Sequence, residues 1–154
     1  RQAAVATLDP VNTPHFRAGV VMVVRRGNGD VLAFERGDVA AAWQLPQGGL
    51  QAGETPVVAA WRELEEETGL GEHDVRLVGE HPRWTVYELP VALRKGSRLG
   101  QVHRWFFFEA ADDGLTPTPD DREFVRWRWL SPQELIATVV DFRRPGYEEV
   151  LGAS

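Results

Sequence analysis

Hydrophobic and polar positions keep a strand-like rhythm along most of the chain and change to a helical period at one clear place. Phe16 to Val24 is an apolar, β-branched run of the kind that forms a strand buried on both faces, and Arg25-Arg26-Gly27-Asn28-Gly29-Asp30 turns it into Val31 to Glu35 as a hairpin. Trp43 to Gly49 (WQLPQGG) gives a short apolar segment followed by a turn, where two adjacent glycines let the backbone come close to a ligand. The period then changes. Thr55 is placed to cap a helix, Pro56 fits the first helical position and Gly69 is a natural stop, so the spacing predicts a helix over 56–68. At about 100° per residue, Val57, Ala60, Trp61, Leu64 and Thr68 fall in one arc, which is the predicted buried face.

Strand patterns return at Val75 to Glu80, Trp84 to Leu89, Val102 to Ala110 and Phe124 to Leu130. Arg94 to Gly100 and Asp112 to Asp121 read as loops between them. Ser131-Pro132 opens a short helix through Val140, and Pro145 to Leu151 is predicted as another. Strands mixed with helices give an α/β class, with residues 1–14 as a loose arm and one domain over 15–151.

Composition narrows the function. A chain of 154 residues that is 43% hydrophobic can bury one core and is short for two domains. It has no cysteine, which excludes disulfides, thiol nucleophiles and cysteine-held zinc and fits a reducing compartment, with the cytoplasm as the default. No apolar run approaches the roughly 18 residues of a membrane span, and no secretory pattern opens the chain. The formal charge of −6 argues against sequence-independent binding of duplex nucleic acid, so a phosphorylated substrate would be drawn by metal and by local arginines.

The predicted helix also carries the candidate chemistry. Glu63, Glu66 and Glu67 share a second arc at i, i+3, i+4 spacing, and Ala59 between them leaves room above the backbone. Like charges so placed repel by a few tenths of a kcal/mol per pair, roughly, on a bare helix. A divalent cation removes that repulsion, and oxygen ligands fanned from one helix face suit Mg²⁺ or Mn²⁺. The alternative is a solvated acidic face neutralised by Arg62.

The whole string decides between them. Gly48, Glu54, Arg62, Glu63, Leu64, Glu66, Glu67, Gly69 and Leu70 match G-x5-E-x7-R-E-U-x-E-E-x-G-U, with U a bulky aliphatic, without a gap. This resembles the Nudix box, here spanning 48–70, the signature of hydrolases that cut a nucleoside diphosphate linked to another group. The resemblance implies an α/β/α sandwich around a mixed β-sheet. It also implies that Glu63, Glu66 and Glu67 hold metal with a backbone carbonyl near Gln47 and Gly48, while Arg62 and Glu54 form an orienting pair. Beyond the box, WQLPQGG, RWTVYELP, QVHRWFF, EFVRWRWLSP and VVDFRRPGYEEVL are similar to one branch, the RNA 5′-pyrophosphohydrolases and the related dinucleoside polyphosphate hydrolases, over roughly 16–151. On that likeness Phe142 would stack on the substrate's base, Arg143 would be a neighbouring basic contact, and Glu123 would ligate metal or help activate water.

Two features depart from the branch. It usually carries a Tyr-Arg pair shortly before the first strand, where this chain has His15-Phe16-Arg17 at a shifted spacing, and Lys95 is the only lysine. Without the resemblance, Phe142 beside Arg143 and Arg144 already reads as a stacking platform flanked by guanidiniums, whereas Trp61, Phe106, Phe107, Trp127 and Trp129 read as core. Arg36 is either a phosphate or base contact or a solvated loop arginine.

The expected activity is Mg²⁺- or Mn²⁺-dependent hydrolysis of a phosphoanhydride in a nucleoside polyphosphate, a dinucleoside polyphosphate or the 5′-triphosphate end of RNA, with Glu66, Glu63 and Glu123 as possible bases. A nucleoside triphosphatase, a sugar-nucleotide hydrolase and a non-catalytic nucleotide-binding module are the alternatives.

Overall fold

The computed structural model describes residues 13–38 and 41–152; most of the expected N-terminal arm, 1–12, lies outside them. The hairpin forms as expected. Strand β1 (His15–Arg25) turns at Gly29, whose φ of 91° suits glycine, into β2 (Val31–Arg36). Alternation along β1 sends Val20, Met22 and Val24 to one face and Val21 and Val23 to the other, and all five are buried, as a central strand requires.

Two short strands follow, β3 (Trp43–Gln44) and β4 (Gln47–Gly49). Here the sequence reading needs correcting. Gly48 and Gly49 form no turn: they run antiparallel to β1, paired with Val20 and Gly19. The side chains of Glu63 and Arg17 fill the space that a Cβ at these positions would take. A Cβ on Gly48 would stand 1.8 Å from Glu63 Oε2, and one on Gly49 would stand 2.0 Å from Arg17 Nη2.

Helix α1 (Pro56–Thr68) has the expected bounds, with Pro56 in its first turn and Gly69 left-handed at φ 73° as its stop. Thr55 stands at the N-cap in extended backbone, but its side chain makes no capping bond. The remaining elements are β5 (Val75–Glu80), β6 (Thr85–Glu88), β7 (Arg98–Ala110), β8 (Phe124–Leu130), α2 (Pro132–Thr138) and α3 (Arg144–Leu151). Strand β7 begins four residues before the expected start and takes up part of the predicted basic loop, because parallel pairing with β1 runs from His15↔Arg98 onwards. Ser131 does cap α2: its hydroxyl accepts from the Glu134 N–H, and Glu134 answers on the Ser131 N–H, both at 3.1 Å.

One mixed sheet results, ordered β3-β2-β1-β7-β5, with β4 on β1, β6 on β7 and β8 on β2. Among the described strands only β1 and β7 pair in parallel. Ala59, Ala60 and Leu64 of α1 pack with Val20, Met22 and Phe108 on one face, and Leu135, Tyr147 and Leu151 of α2 and α3 pack with Val21, Val23 and Trp105 on the other. This is the expected α/β/α sandwich. Of the aromatics expected in the core, Phe106 is buried, and Trp61, Phe107, Trp127 and Trp129 pack against it half-buried. No described helix is long and apolar enough to cross a membrane.

Candidate active site

The buried face of α1 is wider than its apolar arc. Ala59 and Glu67 are both buried with Ala60, Leu64 and Thr68, so Ala59 is core and does not clear space for ligands. The three box carboxylates consequently part company. Glu67, 6% exposed, accepts the Gln47 N–H of β4 at 3.3 Å, and Glu63, one turn earlier, lies against Gly48. Glu66 points outward, with 57% of its side chain exposed, and meets Arg62 at 3.2 Å. Helix geometry accounts for this, because residues four apart stay on one side while i+3 moves about 60° the other way.

Arg62 organises the outer side. Its Nε and Nη2 donate to both oxygens of Glu54 at 2.7 and 2.8 Å, Nη1 donates to Glu63 at 2.6 Å, and Nη2 also donates to the Gly49 carbonyl at 2.9 Å. Such a two-pronged bond fixes direction as well as distance. One guanidinium thus ties the start of the helix, the glycine strand and a cavity carboxylate together. It holds Glu54 down at about 2, helped by the Gln51 N–H, and Glu54 in turn raises Arg62 above the ordinary arginine range. Arg62 and Glu54, expected as an orienting pair, are thus joined by two bonds.

Between β4, β7, β8 and the residues before α3 lies an open cavity of about 490 Å³. Its lining carries the carboxylates Asp38, Glu63, Glu67 and Glu123, with Gly48 against Glu63. Burial pushes Glu67 up to about 10, reinforced by the charge of Glu123 and then by Glu63, and burial likewise raises Glu63. The same lining carries Arg17, Arg36, Lys95, Arg98 and Arg143. His103, 3% exposed, also lines the cavity; burial, then Arg143 and Arg17, press it down to about 3, which favours the neutral ring.

The cavity carboxylates suit a hard cation by the chemistry of their donors. As placed, no group of three or more acidic or histidine side chains among the described residues is arranged to hold an ion. Yet Glu63, Glu67 and Glu123 offer only oxygen ligands, and burial, joined at Glu67 by the charges of Glu123 and Glu63, raises the proton affinity of Glu63 and Glu67. A divalent cation would relieve that, and oxygen-only donors suit Mg²⁺ or Mn²⁺.

Three of the residues expected to meet the substrate line the cavity. Arg36 lines the cavity, but Asp38 grips it at 2.8 and 2.7 Å. Phe142 lines it too, half-buried, with its ring 5.3 Å from that of Tyr87. Arg143, 9% exposed, lies on the floor, where its Nη1 donates to Gln44 and its guanidinium stands 5.3 Å from the Phe142 ring. Arg144 is elsewhere: it donates to the Ile136 and Val139 carbonyls and to Asp141, tying off the end of α2.

Sequence reasoning did not single out Arg17, Arg98, Gln44 or His103 as site residues. Strand alternation offered one signal, since Arg17 is two residues before Gly19 on β1 and so shares its face, the face paired with His103 on β7.

The chain's similarity to known proteins follows the same lines. The NUDIX domain family matches residues 15–150. An RNA pyrophosphohydrolase of Rhodospirillum rubrum is 41% identical over 142 residues, covering 88% of this chain and 85% of that protein. Nudix hydrolase 25 of Arabidopsis thaliana is 36% identical over 151 residues, covering 90% of this chain and 85% of that one. Among solved structures, the dihydroneopterin triphosphate pyrophosphohydrolase of E. coli superposes with a TM-score of 0.75 at 20% identity, covering 90% of this chain and 99% of that one. An Ap4A hydrolase of C. elegans does so at 0.69 and 17%, covering 89% and 96%, and at these identities both speak for the fold alone. With the box complete, its orienting pair joined and the match running through nearly the whole described chain, the protein belongs to the Nudix family, as one of its pyrophosphohydrolases.

Proposed function

We propose that this enzyme removes pyrophosphate from the 5′-triphosphate end of RNA, using Mg²⁺ or Mn²⁺. The observation that carries the proposal is that one cavity is lined both by the carboxylates of Glu63, Glu67 and Glu123 and by Arg17, Arg36, Lys95, Arg98 and Arg143. A polyphosphate needs both, cations for its outer oxygens and carboxylates that hold metal for the bond to be cut. The RNA pyrophosphohydrolases among its relatives favour an RNA end over a dinucleoside polyphosphate.

Glu63, Glu67 and Glu123, with the Gly48 carbonyl, would hold the metal, which supplies charge neutralisation at the phosphate oxygens. Glu66 would join them by giving up its single bond to Arg62. Arg62 and Glu54 keep Glu63 facing the cavity. Glu123, exposed at the rim, and Glu63 are the groups placed to take the proton of the attacking water. Phe142, backed by Tyr87, stacks on the first base, while Arg143 and Arg17 hold phosphates. A reducing compartment, the cytoplasm, suits both the cysteine-free chain and this substrate.

The test is pyrophosphate release from a 5′-triphosphorylated oligoribonucleotide, compared with diadenosine tetraphosphate, ATP and ADP-ribose under the same conditions. The expected result is the highest kcat/KM on the RNA. A higher value on any of the others assigns the enzyme to that substrate class.

A further inference from the structure

Arg143 is an unusual cation. It is 9% exposed, yet no acidic side chain bonds it. Burying a charge without a counter-charge is costly unless something offsets it. Two neutral groups do so here: the Gln44 amide oxygen takes the Nη1–H, and the face of Phe142 lies 5.3 Å from the guanidinium carbon. The Arg143 Nε is buried with no partner at all. Asp38 is close enough to feel Arg143, but Arg36 already holds it by two bonds. Gln44 is itself buried, 5% exposed, on β3, and the neighbouring Leu45 N–H donates to the Tyr147 hydroxyl at 2.9 Å, so the amide is firmly seated. Both residues line the main cavity, where Arg98 offers a second buried Nε without a partner.

We propose that Gln44 is a positioning residue: its neutral amide fixes the Arg143 guanidinium at the cavity floor without neutralising it, leaving a buried, unspent cation to bind a phosphate anion of the substrate. A carboxylate at position 44 would point Arg143 equally well and would cancel the charge that the substrate needs. The inference rests on the polyphosphate reading given above and specifies one subsite within it.

The experiment measures binding of inorganic tripolyphosphate to metal-free protein by calorimetry, for wild type, Gln44→Glu, Arg143→Met and the double variant, with thermal melting alongside. Gln44→Glu should weaken binding at least about tenfold while leaving Tm unchanged or raised, because the new ion pair satisfies the buried cation. Arg143→Met should weaken binding to a similar extent, and the double variant should be no weaker than Arg143→Met, since the two act on one charge. Wild-type affinity in Gln44→Glu, or additive losses in the double variant, overturns the proposal. If Gln44→Glu does not fold, Arg143→Met alone decides, and unchanged binding there overturns it. Tripolyphosphate binding that depends on Gln44 in a protein that does not cleave RNA ends would keep this subsite and reject the RNA reading. RNA cleavage with binding indifferent to Gln44→Glu would do the reverse.

Discussion

Gly48→Ala and Gly49→Ala, two adjacent substitutions of one methyl group each, should damage the enzyme in different ways. Neither glycine has a positive φ, so the backbone accepts alanine and the whole effect comes from what the new Cβ meets. At position 48 it would stand 1.8 Å from Glu63 Oε2 and 2.0 Å from its Cδ. Glu63 must therefore swing away and break its 2.6 Å bond to Arg62. A charge-assisted bond of that kind contributes about 1.5–3 kcal/mol, and the reduced freedom of the unfolded chain returns about 0.4–1 kcal/mol. The net loss is about 1–2 kcal/mol, or roughly 2–8 °C in Tm for a domain of this size. Displacing a metal-bearing carboxylate should lower kcat by about 10²–10³-fold. At position 49 the new Cβ would meet the Arg17 guanidinium, 2.0 Å from Nη2. Arg17 heads a flexible side chain that enters no ion pair of the structure, so Gly49→Ala should melt within about 3 °C of wild type, and the displaced phosphate contact should raise KM about tenfold with kcat nearly kept. Calorimetric melting and steady-state kinetics on one triphosphorylated RNA read all four quantities. A folded Gly48→Ala protein with wild-type kcat, or a Gly49→Ala protein that loses kcat and keeps KM, refutes the roles given to Glu63 and Arg17.

Chelation should abolish turnover, and Glu66→Gln should lower kcat at least about 10²-fold with Tm unchanged, because Glu66 is mostly exposed; near-normal turnover would remove it from the metal set. Arg62→Ala should cost more in kcat than in stability, since its bonds aim carboxylates rather than fill the core, and a collapsed Tm with normal turnover of the folded fraction would make it structural. Phe142→Ala should raise KM about 5- to 150-fold on an RNA end and leave tripolyphosphate, which has no base, unaffected; equal effects on both would make Phe142 a packing residue. His103 has a folded pKa of about 3 against an unfolded value near 6.5, so the unfolded chain binds the extra proton between those limits and stability falls as pH drops through that window. From pH 6.5 to 5, wild type should lose about 2 kcal/mol more than His103→Gln in urea unfolding, and parallel losses would show that the buried ring takes up a proton in place.

What could be read in the sequence and what could not differ by the range of the interactions involved. The bounds of α1 follow from Pro56, Gly69 and the spacing between them, all local, and the box residues could be recognised as a set because their function keeps them within one short stretch. Gly48 and Gly49 were misjudged because their cause is distant. Glu63 lies on the next element and Arg17 some thirty residues upstream, and only the pairing of β4 with β1 brings either guest into the space of an absent side chain. The same distance hid the burial of Glu67: its partners are the Gln47 N–H and Glu123, and no helical wheel contains them.

Arg143 makes the sharpest case, because two adjacent arginines after a helix look alike as letters. Backbone direction separates them. Arg144 turns back over α2 and spends its bonds on carbonyls and Asp141, while Arg143 turns inward to an amide ninety-nine residues away and keeps its charge. Composition had assigned the attraction of an anionic substrate, in a chain of net charge −6, to metal and local arginines. The cavity shows how that is arranged at short range. Most surface arginines are tied to acids, including Arg26, Arg76, Arg104 and Arg126, whereas Arg17, Arg98 and Arg143 enter the cavity with no ion pair. An acidic protein can therefore keep unpaired arginines in a cavity that also carries carboxylates, and neutralisation of its other arginines confines the positive field to the place where a polyphosphate would enter.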